Sequence, residues 1–435
     1  MRDDRFAATL DRVFAAHRHY RRRFAAAGLR REDVRGLDDL VRLPVTTKAD
    51  YMAEPDAFVL GPEGAAEPDE TLVWDAMYTT GSSGAPTAFV STGYDFLNIL
   101  AVQQNMLRLR GVTPADSILN LFPLTRYPHG AFARAMNAAA AFGIPVTAAL
   151  PGQLNPRQPN IGHRLDEVVA IAVRARATIL WGVPSFLRKL VARAEELGAG
   201  LPDVRLAFVT GEGFGEDARA DLLQRLRRVG APAPQVSVSY GATEMQGGMV
   251  ECTGGSGYHN PAPDQFFFEA VDPETHAPVP DGEEGLILLT HLDRRGTVML
   301  RYTLGDVARL TRARCPHCGA SMERLLSIPR RVDGLLKIKG MLVNPQALVD
   351  ALMGEPALAE FQAVLVKDVP GDPLSMDRLV LRAVPAATPD AAIAARVADR
   401  VRRACGVTPV VEWTTADDAL LAGRGWKAKP ILDLR

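Results

Sequence analysis

The sequence predicts an α/β protein in two domains, and three observations lead there. Through the first two thirds of the chain, short apolar runs at residues 117–122, 145–150, 177–181 and 205–210 alternate with helical patterns at 162–175, 184–197 and 216–229. That order builds parallel sheet covered by helices. Between Phe266 and Leu310 the pattern changes to strands closed by tight turns at Asp281-Gly282 and Arg295-Gly296, the mark of a more antiparallel, barrel-like β subdomain. From Asp333 the alternation restarts on a smaller scale, with helix 345–353, strands 361–367 and 378–383, helix 389–405 and strand 409–413. A segment of that size folds alone, and 435 residues exceed what one core usually sustains. The expected division is a large domain over residues 1–332 and a small α/β domain over 333–435.

The N-terminus reads as an amphipathic helix: Phe6, Leu10, Val13 and Phe14 recur at helical spacing among arginines and histidines. It holds no apolar core of signal-peptide length, so a cytoplasmic location is expected. The longest apolar stretch, 135–150, is broken by Asn137, Gly143 and Pro145 and falls short of a membrane span. Lys plus Arg (50) nearly balance Asp plus Glu (51), which leaves no global basic field for nucleic acid or an acidic membrane. Any anion site must be local. Four cysteines in so long a chain do not make a disulfide scaffold.

The strand-like segment holding Val73 and Trp74 leads into Met77-Tyr78-Thr79-Thr80-Gly81-Ser82-Ser83-Gly84-Ala85-Pro86-Thr87. Glycines let backbone N–H groups turn toward an anion, and the hydroxyls add uncharged donors, so Thr79, Thr80, Gly81, Ser82, Ser83 and Gly84 suit a polyphosphate. A Walker loop is excluded, because Gly84 is followed by Ala85 and Pro86 rather than by Lys and a hydroxyl residue. Farther on, Cys315-Pro316-His317-Cys318-Gly319 pairs two thiols at the spacing of a zinc knuckle. A redox pair is the rival reading, though such a pair normally opens a helix; buried free thiols are the third.

Four further segments accompany the hydroxyl-rich loop: Ser239-Tyr240-Gly241-Ala242-Thr243-Glu244, Leu300-Arg301-Tyr302-Thr303-Leu304-Gly305-Asp306, Arg331-Val332-Asp333-Gly334 and Gly425-Trp426-Lys427-Ala428. Upstream stand His19-Tyr20-Arg21 and the stretch from Leu37 to Asp50 that contains Leu43-Pro44-Val45-Thr46-Thr47-Lys48. In this order the chain resembles, nearly end to end, the adenylate-forming superfamily of acyl-CoA synthetases, and more narrowly its phenylacetate-CoA ligase branch. The resemblance implies ATP-dependent activation of an aromatic or hydrophobic carboxylic acid as its acyl-AMP, with pyrophosphate released and the acyl group passed to the thiol of CoA. It also implies a C-terminal domain that rotates between the two half-reactions, hinged at Asp333. Transfer to a carrier protein or an amine, adenylation of another acceptor as in the coenzyme F390 synthetases of this branch, and a degenerate nucleotide-binding protein are the competing readings. The resemblance leaves a homodimer open.

Joining a carboxylate to a phosphate brings two anions together, so the site must first neutralise charge. Mg²⁺ does this with hard oxygen ligands, usually one or two of them protein carboxylates. Glu244 is the candidate, placed after the strand-like 236–238 at the end where open α/β sheets hold ligands. By resemblance Tyr240 and Gly241 lie near adenine, with Gly211 and Glu212 on another loop there, and Thr243 touches the α-phosphate. Asp306, after a strand-like 298–302, takes the ribose hydroxyls, and Arg331 contacts ribose or phosphate. Lys427 carries over as the catalytic lysine, bridging the charge that develops between carboxylate and phosphate; Lys429 is its competitor. Lys339 and Gly340 fall where relatives bring a second face to the site for thioester formation.

The family's acyl-pocket stretch reads Phe122-Pro123-Leu124-Thr125-Arg126-Tyr127-Pro128-His129-Gly130 here, bulkier and more polar. Phe122, Arg126, His129 and Trp181 are the pocket candidates, and Arg126 or His129 suits a polar or second acidic group on the acid. Relatives usually carry Lys where this chain has Ala85, which removes one positive contact to the β- and γ-phosphates. Some relatives pair the later cysteines with the segment after the Glu244 motif in a structural zinc site. That makes Cys252 and His259 the partners of Cys315 and Cys318, with His317 the alternative to His259.

Overall fold

The computed structural model describes residues 2–61, 70–78, 87–124, 130–152, 162–326, 330–331, 336–338, 341–369, 376–415 and 430–435; of Arg330, Arg331, Lys337, Met341 and Leu342 the backbone alone is described. The chain forms two compact units. One gathers Met1–Ser117, Thr125–Val146 and Ser237–Val332; the other gathers Ile118–Leu124, Thr147–Val236 and Asp333–Arg435. The fold is α/β, with parallel and antiparallel strands in one large mixed sheet and a smaller separate sheet near the C-terminus.

In the first unit, helix Arg2–Ala16 turns Phe6, Leu10 and Val13 inward, the face expected from their spacing. Three long strands, Phe266–Val271, Glu284–His291 and Tyr302–Thr311, pair antiparallel, and Arg324–Leu325 and Arg330–Arg331 each pair with the last of them. This is the antiparallel region foreseen for 266–310. One detail differs. The strand expected at 298–302 begins only at Tyr302, because Arg301 takes a positive φ of 43° and breaks the extended run. That residue is held by guanidinium bonds to the carbonyls of Leu43 (2.9 Å) and His276 (3.1 Å). Asp306 therefore lies inside a strand rather than after one.

Two hairpins in this unit carry the motif segments. Val73–Tyr78 pairs antiparallel with Ala88–Thr92, so the strands on either side of residues 79–86 are neighbours. Strand Gln235–Ala242 pairs antiparallel with Gly247–Val250 across the short 3-10 turn Thr243–Met245.

In the second unit, strands Ile118–Asn120, Ile179–Gly182 and Leu206–Thr210 pair in parallel, with helices Leu165–Ala175, Pro184–Glu196 and Glu216–Arg228 between or after them. The strand Ile179–Gly182 is buried along its whole length, as a parallel strand covered on both faces should be. The helix expected from 162 starts at Leu165, where Glu167 accepts the Arg164 N–H at 2.7 Å and closes the first turn.

The segment from Asp333 onward has a sheet in the order Val410–Trp413, Asp377–Pro385, Leu358–Lys367, Ile431–Asp433, with helices Pro345–Met353 and Ala391–Cys405 packed against it. Leu352, Leu365, Leu381, Val397 and Val401 make its own core. The hairpin Leu336–Ile338 with Met341–Val343 and the strand Ile431–Asp433 went unread in the sequence, since three residues are too few to show a period of two. Among the described residues, no helix is long and apolar enough to cross a membrane.

Candidate active site and thiolate cluster

Glu244 sits in the turn that follows the last residues of strand Gln235–Ala242 and is 8% exposed. Tyr302, at the start of its strand, donates its hydroxyl proton to Glu244 Oε1 at 3.0 Å. Burial, and then the Glu244 charge, push the Tyr302 hydroxyl well above the usual tyrosine range, so it remains a donor. No described residue hydrogen-bonds Oε2 of Glu244. A buried carboxylate with one oxygen anchored and the other left for a hard cation fits a Mg²⁺ ligand. Behind the turn, His291 Nε2 lies 2.9 Å from the Glu244 carbonyl oxygen. Burial lowers the His291 pKa to about 3, with Arg294 adding to it, so the ring is neutral.

Tyr240 and Asp306 meet directly: the Tyr240 hydroxyl donates to Asp306 Oδ2 at 2.7 Å. Gly305, with φ at 74°, makes an irregularity in a strand that would otherwise continue smoothly. A side chain would resist that backbone angle, and the Gly305 N–H bonds to Thr303 Oγ1 at 3.0 Å. Arg331 stands opposite Asp306 in backbone register. Three residues named from separate motifs thus share one neighbourhood of the sheet.

A further link went unforeseen. Arg134 donates to Gln246 Oε1 at 3.1 Å and to Asp75 at 2.8 Å. Its side chain is 6% exposed. One guanidinium thereby joins the strand that enters the hydroxyl-rich loop to the residue two places after Glu244. Gln103, fully buried, donates to the Gln246 carbonyl at 2.9 Å and supports the positive φ of 50° there.

In the second unit, Glu212 accepts the Ser185 N–H at 3.0 Å and the Ser185 hydroxyl at 2.9 Å, and Gly211 and Gly213 flank it. Phe122 is fully buried, and Trp181 lies edge-on to Phe208 at 5.5 Å. Thr79, Thr80, Gly81, Ser82, Ser83, Gly84, Ala85, Arg126, His129, Asp333, Lys339, Gly340, Lys427 and Lys429 lie outside the described residues.

Cys252, His259, Cys315 and Cys318 come together, their ligand atoms all within 4.8 Å of one another. His317 is not part of the group. The sulfur of Cys318 is 3.4 Å from His259 Nε2, while His259 Nδ1 lies 3.1 Å from the Val250 carbonyl. A carbonyl can only accept, so Nδ1 carries the hydrogen and the Nε2 lone pair faces the thiols, the orientation a metal-binding histidine needs. Burial, then the neighbouring thiols, raise Cys252 to about 11. For Cys315 burial pulls upward too, yet the N–H groups of Cys318 and His317 and the His259 side chain bring it down to about 6. Three thiol sulfurs and one imidazole lone pair gathered this closely make the donor set of a tetrahedral zinc site. All four cysteines of the chain are free of disulfides. Gly319, at φ 74°, returns its N–H to the Cys315 carbonyl at 3.0 Å and closes the knuckle turn.

The chain is similar to the phenylacetate-coenzyme A ligase of Thermus thermophilus, with 24% identity over 372 residues that cover 84% of this chain and 78% of that protein. The enzyme of that name from Escherichia coli is 27% identical over 361 residues, covering 81% and 75%. A solved structure of a 2-hydroxyisobutyryl-CoA ligase in the postadenylation state superposes with a TM-score of 0.81 at 21% identity, over 99% of this chain and 88% of that one. The family described as AMP-binding enzyme matches residues 26–302, well over half of the sequence, and the chain belongs to that family.

Proposed function

We propose that this AMP-binding enzyme is an acid–thiol ligase that forms an acyl-AMP from ATP and an aromatic or otherwise hydrophobic carboxylic acid, then transfers the acyl group to CoA. The observation that carries this reading is the buried Glu244 carboxylate, anchored through one oxygen by Tyr302, in the turn directly after the strand whose Tyr240 meets Asp306. In the first half-reaction a carboxylate oxygen of the acid attacks the α-phosphorus of ATP and pyrophosphate leaves. In the second the CoA thiol, losing its proton, attacks the acyl carbon and AMP leaves. Glu244 holds Mg²⁺, which offsets phosphate charge; Thr243 contacts the α-phosphate; Tyr240, Gly241, Gly211 and Glu212 bound the adenine; Asp306 and Arg331 take the ribose. Residues 79–84 cradle the outer phosphates and Lys427 bridges carboxylate and phosphate. The names of the relatives support CoA as acceptor and an aryl acid as substrate. Cys252, His259, Cys315 and Cys318 hold a structural zinc, a closed site that leaves no position for substrate.

Pyrophosphate release with a panel of aryl and small hydroxy acids, with and without CoA, tests the reading. Acid-dependent pyrophosphate, followed by an acyl-CoA product, is expected. Release that no CoA converts to thioester would shift the acceptor to a carrier protein or an amine, and no release with any acid would remove the enzyme reading. For Glu244→Gln, the expected outcome is a higher Mg²⁺ requirement and a lower turnover, by at least the roughly 10–100-fold that loss of an outer-sphere partner costs. An unchanged Mg²⁺ titration would mean that Glu244 is not the ligand.

A further inference from the structure

His291 is fully buried at the end of strand Glu284–His291, which pairs with the strand that begins at Tyr302. Its Nδ1 accepts the Met299 N–H at 3.0 Å, and its own N–H bonds to the Met299 carbonyl at 2.9 Å. A backbone N–H can only donate, so the hydrogen of the neutral ring is forced onto Nε2. There it donates to the Glu244 carbonyl at 2.9 Å. The ring centroids of Phe89 and Phe266 stand 6.0 and 5.9 Å away. His291 and Tyr302 thus grip one residue from the two ends of a single connection: His291 takes its carbonyl and Tyr302 takes a carboxylate oxygen.

We propose that His291 is a positioning residue of the adenylation half-reaction, fixing the Glu244 main chain so that its carboxylate meets the divalent cation at a set angle. This rests on the reading of Glu244 as the Mg²⁺ ligand. A short 3-10 turn has few bonds of its own, and the cation site inherits whatever freedom the turn keeps. Tyr302 alone restrains one oxygen; the carbonyl anchor removes the remaining rotation of the peptide unit. His291 touches neither substrate nor cation and acts through Glu244.

Two substitutions separate this role from simple core packing. Gln places an amide nitrogen near the position of imidazole Nε2 and keeps the bond to Glu244. Asn reaches only the position of Nδ1 and keeps the bond to Met299. Both open space in the core, so both His291→Gln and His291→Asn should lower the melting temperature. The Mg²⁺ concentration for half-maximal pyrophosphate release should rise about tenfold or more in the Asn variant and stay near wild type in the Gln variant. Equal Mg²⁺ shifts in the two, or none in Asn, would overturn the proposal. If the Asn variant does not fold, His291→Leu takes its place, since it lacks the bond to Glu244: a raised Mg²⁺ requirement there beside a wild-type titration in the Gln variant supports the role, and a wild-type titration in both rejects it. Glu244→Gln, run beside them, tells the two failures apart. A shift there without one in His291→Asn defeats this inference alone; no shift in Glu244→Gln defeats the ligand reading and this inference with it.

Discussion

Replacing Lys427 with Ala is expected to slow acyl-AMP formation about 10²- to 10³-fold, the usual loss when one charge-stabilising donor is removed from a reacting centre, or roughly 3–4 kcal/mol. Thioester formation from supplied acyl-AMP should keep most of its rate. The difference follows from where charge develops. As the carboxylate approaches the α-phosphate, two anions crowd together, and a compact ammonium on a flexible stem can sit between them. Once the adenylate exists, that repulsion has gone and the CoA thiol attacks a neutral acyl carbon. Single-turnover assays of each half-reaction measure the contrast. Equal losses in both would move Lys427 from chemistry to folding or domain packing. Lys429→Ala serves as the comparison: if it shows the adenylation-specific loss and Lys427→Ala does not, the assignment moves two residues along.

The larger elements were legible in the sequence because they repeat a period many times. Helix Pro345–Met353 has the bounds its pattern predicts, and strands Leu206–Thr210 and Val410–Trp413 fall within a residue of theirs. Short hairpins were not, since local pairing of three-residue strands leaves no period to count. The candidate site divides in the same way. Glu244, Tyr240 and Asp306 stand in compact motifs, whereas the groups that orient Glu244 are far off in the chain: His291 lies 47 residues away and Tyr302 58. Tyr302 was at least inside a motif. His291 was a lone histidine closing an apolar run, a setting that more often means a core residue, and only the fold reveals that its two nitrogens are both committed. Arg134 was hidden for a similar reason, because an arginine in an alanine-rich helix looks exposed until Asp75 and Gln246 are seen around it.

The thiolate cluster leads to the other large expected effect. His259 lies on a two-residue strand that pairs with Val250 on one side and with Arg324–Leu325 on the other, and Val250 belongs to the strand that returns from the Glu244 turn. A metal held by Cys252, His259, Cys315 and Cys318 would therefore staple the knuckle turn to the strand behind the site. Strands of two residues have little pairing energy of their own, so the staple matters more than its size suggests. Purified protein is expected to contain about one zinc per chain, the stoichiometry of a closed four-ligand site. Because the binding energy of a structural metal is folding energy, Cys315→Ser should lower the melting temperature on the order of 10 °C, as a loss of about 3–5 kcal/mol would at roughly 2–4 °C per kcal/mol. The Michaelis constant for ATP should stay near the wild-type value, since none of the four side chains is assigned to the nucleotide. Metal analysis and thermal melts of wild type and variant, prepared without chelator, measure both. Protein that holds no zinc, or a variant that melts like wild type while losing ATP affinity, would leave the cluster as packed free thiols and reopen a role for it in the reaction.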